Sequence, residues 1–216
     1  VARSAQGVVA AAEVAEPALV ERAESLVETA QARFADQQRL ADLERRNVAL
    51  LARCEDLRMR QIEANFGFSP QDLTEQIEDE YAVVFRDYGI DLDDPDLPAA
   101  MEKLRDSGIA QEAALALDDW ASVRRRTYGF DSYEVEAVTA LAFDLDPDPL
   151  RTRMREALLS RDEAGLLELA QREDLTDAPP STFWVLSQGL AWLRRDAEVA
   201  EVVRTGVRVH PDDFLL

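Results

Sequence analysis

Residues 81–126 read YAVVFRDYGIDLDDPDLPAAMEKLRDSGIAQEAALALDDWASVRRR, and they divide the chain. Glycines at 89 and 108 and prolines at 95 and 98 cut the stretch into short segments with helical periodicity. The segment from Ile109 to Thr127 is the best-marked helix. Ala113, Leu115, Ala116, Leu117, Trp120, Ala121 and Val123 are too many apolar groups for a surface helix, so it is expected at the centre of the core, with Trp120 as its hub. Before the stretch lies one long polar–apolar helical pattern, and after it lie helix pairs of roughly repeat length. The fold expected is all-α: a long helix or helical hairpin followed by a tetratricopeptide-like α-solenoid. The boundaries divide a helical arm at 1–68, an acidic helical connector at 69–127 and degenerate tetratricopeptide-like helix pairs at 128–216.

Within the arm, Pro17 suits the first turn of the long helix, after a short amphipathic helix from about Ser4 to Glu16. From Ala18 to Asn65 no proline or glycine intervenes. Leu19, Ala23, Leu26, Ala30 and Phe34 share one face, and Leu40, Leu43, Leu50, Leu51, Cys54, Leu57 and Ile62 form a second stripe. The second stripe does not continue the first in strict heptads, which fits either a stutter or a turn near Asp36–Arg39 making a hairpin. Asn65-Phe66-Gly67-Phe68-Ser69-Pro70 then reads as a stop and restart.

After Arg126, Asp131 is a candidate cap for a helix through Phe143. Leu150–Leu159 pairs with Asp162–Gln171, and Ser181–Arg194 pairs with Ala197–Val209. Prolines at 147, 179 and 211 recur every 32 residues. With Pro211 closing a repeat, Phe183, Leu186, Ser187 and Leu190 fall at the packing positions of its first helix.

The 216 residues carry a net charge of −20, and residues 69–119 alone hold 15 acidic against 3 basic groups. Such a field repels nucleic acid and anionic membrane surfaces, so neither is expected as a direct partner. A single cysteine, Cys54, excludes an intramolecular disulfide and a cysteine zinc cluster. The loop DLDDPDLP at 91–98 places Asp91, Asp93 and Glu102 at calcium-loop spacing. Pro95 and Asp96 stand where that loop needs a ligand and a glycine, so no metal is expected. The lone His210 sits in a repeat-ending turn. Asp118 and Asp119, adjacent on a helix, point in different directions and are expected to bond to a neighbouring helix or to arginines such as Arg124.

The runs LARCEDLRMRQIEANF, YAVVFRDYGIDLDDPD, ALDDWASVRRR and DPDPLRTRMREAL, with the HPDDF end, carry a resemblance. They resemble the region downstream of the catalytic domain in large bacterial serine/threonine kinases with tetratricopeptide repeats, common in planctomycetes. That implies a bacterial signalling protein in which a kinase domain comes first, often followed by a membrane helix. These residues would then be a soluble regulatory part of a membrane-anchored protein. The chain has no glycine-rich phosphate loop, no catalytic His-Arg-Asp and no Asp-Phe-Gly, so no catalytic residue is carried over.

The leading expectation is a non-catalytic module, without cofactor or metal, that binds a partner protein or positions a kinase domain. Candidate contacts are Arg124, Arg125, Arg126, Arg194 and Arg195, with Trp120, Trp184 and Trp192 as core anchors. The alternative is a structural coiled-coil element that homodimerises through Leu19–Ile62. A hydrolytic enzyme of another type is the third and weakest.

Overall fold

The computed structural model describes residues 17–66 and 71–212, and among these the chain is all-α, with nine α-helices and one 3-10 helix. The elements are α1 (Pro17–Phe66), α2 (Gln71–Tyr88), α3 (Leu97–Arg105), α4 (Ala110–Tyr128) and α5 (Tyr133–Leu145). They continue with α6 (Pro149–Ser160), α7 (Glu163–Ala170), a 3-10 turn (Glu173–Asp177), α8 (Pro180–Trp192) and α9 (Asp196–Val209). The expected helix at 4–16, the stop and restart at 67–70 and the run 213–216 lie outside the described residues.

The chain forms two compact units, residues 1–46 and 47–216. α1 is a single helix with no turn at Asp36–Arg39, which sets the hairpin aside. In the first unit Leu26, Val27, Phe34 and Leu40 are exposed and Leu43 is half-buried. In the second unit the same helix buries Asn47, Leu50, Cys54, Leu57 and Gln61, at alternating three- and four-residue steps. Of the stripe Leu19–Ile62 expected to self-associate, Leu50, Cys54 and Leu57 are consumed inside the chain's own core.

Local chemistry sets most boundaries. Gly89 closes α2 at φ +109°, donating its N–H to the carbonyls of Phe85 and Arg86. Pro98 sits in the first turn of α3, where its missing N–H costs nothing. The cap of α5 is Ser132, whose side chain accepts from the Val135 N–H, one residue beyond the expected Asp131. Asp131 instead pairs with Arg161 at 2.6 Å. Asp148 and Asp162 cap α6 and α7 in the same way as Ser132.

The core of the second unit has two parts. The first joins α1, α2, α3, α4 and α5, with every residue of α4 from Ala113 to Arg125 buried. Trp120, 1% exposed, stacks on Phe85 with centroids 5.3 Å apart and on Tyr81 at 6.3 Å. Its predicted role as a buried hub therefore matches its position. The second part gathers α6, α7, α8 and Val202 of α9 around Phe183, Leu186 and Leu190. Gly189 lets α6 approach closely, since a Cβ there would lie 2.5 Å from Leu158 Cδ2.

Candidate functional site

Two places gather chemistry-bearing side chains. The first is a buried charge network around Asp118 and Asp119. Being adjacent on α4, they face different helices, and each finds its own arginine. Arg155 of α6 donates from Nε to Asp118 Oδ1 at 2.9 Å and from Nη2 to Asp118 Oδ2 at 2.8 Å. It also reaches Asp146 Oδ2 and the Asp146 carbonyl, both at 3.0 Å. Arg151 closes the other side of Asp146 with bonds of 2.5 and 2.8 Å. Burial pushes the Asp146 carboxyl up, but the two arginines outweigh it and hold Asp146 below its ordinary value.

Asp119 turns to α1, where Arg58 Nε donates to its Oδ2 at 2.6 Å, while Oδ1 is buried with no partner among the protein atoms. Burial acts to lower Arg58, but the charge and hydrogen bond of Asp119 outweigh it and raise it. Burial pushes the Asp119 carboxyl up to about 6, because Arg58 compensates only one of its oxygens. Beside this pair, burial pushes the Cys54 thiol up to about 12, which keeps it protonated and unreactive.

Arg124 is not the partner of either aspartate. It donates to Glu78 Oε1 at 2.8 Å and to the Glu134 carbonyl at 2.9 Å, and lies over the Trp120 ring at 4.4 Å. Glu78 also accepts from Trp120 Nε1 and from the Tyr128 hydroxyl, both at 3.3 Å. Arg124 and Arg125 are buried, so both leave the set of candidate surface contacts. Burial lowers Arg125 to about 10, still cationic at neutral pH. A run of three arginines at a helix end is normally a solvated face; here two of them neutralise or neighbour acids that the sequence hides inside.

The second place is a cleft of about 410 Å³ lined by α8, α9 and the end of α4. It brings together four residues named from separate stretches of sequence: Arg126, Trp184, Trp192 and Arg194. Val199 and Val203 of α9 complete its apolar wall, and no acidic residue lines it among the described residues. Trp184 is a core residue, as expected, with its Nε1 buried and without an acceptor among the protein atoms. Trp192 is corrected: it is 36% exposed and meets Phe130 edge-on at 5.1 Å instead of anchoring the core. Arg194 stands in the α8–α9 turn at φ +60°, which ends α8 early and leaves its side chain exposed. Arg195 is drawn away from the cleft into ion pairs with Glu198 and Glu163.

The remaining candidates are committed elsewhere. In the acidic loop, Asp91 accepts from Arg86 Nε and from the Asp93 N–H, both bonds within the loop and its flanking helix. A hollow of about 450 Å³ beside Trp120 is lined by Asp91, Asp93 and Glu134 against Arg86 and Arg124, so it lacks the acid-free lining of the cleft. His210 Nε2 donates to the Ala178 carbonyl at 2.8 Å, with Phe183 edge-on to the ring at 5.8 Å. That contact ties the end of α9 to the start of α8 and so supports the cleft from below.

No protein-family model, no curated protein sequence and no solved structure matches the chain.

Proposed function

We propose that the chain is a non-catalytic protein-interaction module whose recognition surface is the cleft between α8 and α9. One observation carries this reading. Two indoles and two guanidinium groups line a cleft that has no carboxylate among the described residues, in a chain of net charge −20. The excess of acidic groups in the chain disfavours anions in general; here an anionic group meets Arg194 and Arg126 beside apolar walls. The ligand chemistry that fits is an extended segment of a partner protein with carboxylates next to large apolar side chains. Arginine supplies planar donors for the carboxylate, and tryptophan supplies rigid contact area.

The non-catalytic part of the reading is supported by the use made of the buried acids. Asp118, Asp119 and Asp146 are spent on buried arginines, and His210 on a backbone carbonyl. The 32-residue spacing of Pro147, Pro179 and Pro211, together with the α6–α7 and α8–α9 pairs, supports the start of a tetratricopeptide-like solenoid. The runs at 81–96, 116–126 and 146–158 support a place beside a bacterial serine/threonine kinase domain, as its helical regulatory region.

Selection of a random peptide library on the immobilised chain tests the cleft. The expected result is enrichment of peptides with an acidic residue beside an aromatic or leucine, eluted by Arg194→Glu competition no better than by buffer. Enrichment of basic or purely apolar peptides would sink the proposal.

A further inference from the structure

We infer that the first unit pairs with a second copy of this chain, through the face of α1 that carries Leu26, Val27, Ala30, Phe34 and Ala41. This surface is separate from the α8–α9 cleft. Leu26 is 64% exposed, Val27 56% and Phe34 61%, uncovered among the described residues. Val27, Phe34 and Ala41 lie seven residues apart, and Ala30 falls between the first two at the spacing of a two-helix seam. Leu26 and Leu40, the latter 66% exposed, flank that seam. Exposed apolar groups scattered singly need no explanation, but a periodic stripe along one helix face does.

Charge identifies the occupant. Residues 17–46 hold six acidic and five basic side chains, a net charge of −1, while the chain carries −20. Ion pairs Arg39–Asp36, at 3.0 Å, and Arg45–Asp42 neutralise part of that charge within the helix itself. This is the stretch on which two copies of a strongly acidic protein meet without like-charge repulsion. A bilayer is the poorer occupant. An interfacial helix presents a basic polar face to anionic lipid, and six carboxylates interleave this one.

Sedimentation of the whole chain across a concentration series tests the pairing. The wild type is expected to approach twice the monomer mass as concentration rises. Val27→Glu combined with Phe34→Glu should remain monomeric, because both carboxylates enter the seam. Thr29→Glu, about 200° round the helix from Val27, should still double its mass. Thermal melting followed by tryptophan emission separates pairing from folding, since all three tryptophans lie at 120 or later. An unchanged melt with loss of the doubled mass supports the inference. A wild type that stays monomeric throughout, or a Val27/Phe34 variant that still doubles, overturns it, as does mass doubling abolished equally by Thr29→Glu.

Discussion

Arg155 of α6 and Asp118 of α4 face each other as a two-pronged ion pair, with bonds of 2.9 and 2.8 Å and side chains 0% and 3% exposed. The same guanidinium spans to Asp146, so one cation holds two buried carboxylates from two elements. Burial raises the carboxyl of Asp118 and Arg155 lowers it, with burial the larger effect. Removing Arg155 would strand both acids. Arg155→Ala is expected to cost about 3–5 kcal/mol, read as a shift in the urea midpoint. Arg155→Lys should recover less than half of that, because an ammonium lacks the planar fork. A loss under about 1 kcal/mol for Arg155→Ala would show that the network is not closed in solution.

Trp120 is the second point of dependence. It stacks on the rings of Tyr81 and Phe85 and has Arg124 over its own ring, all on the α2–α4 contact. Trp120→Ala should cost about 3–5 kcal/mol, and Trp120→Phe clearly less, since the ring stack survives while the Glu78 bond is lost. Equal losses for both would place the stabilisation in the indole N–H and not in packing.

Asp119 gives the chain a specific pH dependence. Its carboxyl is raised from 3.8 to about 6, so between those values the folded state holds a proton that the unfolded state has released. The stability from this group is thus fully present below pH 3.8 and is lost as pH rises through 6. Comparison of the wild type with Asp119→Asn isolates it. The difference in unfolding free energy should change by up to about 3 kcal/mol across that window and be flat above it. A difference that is level from pH 4 to 7 would mean that Arg58 fully compensates the carboxylate.

How much of this was legible in the sequence depends on distance along the chain. α4 stood out because its apolar residues outnumber what one face can hold. Gly89, Gly108 and Pro98 marked ends because backbone constraints are local. The partners of Asp118 and Asp119 were not legible: Arg155 and Arg58 lie 37 and 61 residues away, and several other arginines were equally available. The run Arg124–Arg126 read as surface for the same reason, since nothing local announces that Glu78 waits inside. The cleft was legible in its parts only. Trp184, Trp192, Arg126 and Arg194 were each singled out, but only the packing of α8 on α4 and α9 brings them to one wall.

The central claim is that this wall recognises a carboxylate-bearing segment. Titration of the chain with a peptide from the library selection, followed by the emission of Trp184 and Trp192, tests it most directly. The account predicts saturable binding that Arg194→Glu weakens more than tenfold, about 1.4 kcal/mol or more, while Arg195→Glu weakens it little. Binding that is indifferent to Arg194→Glu, or the failure of any acidic peptide to bind, would contradict it.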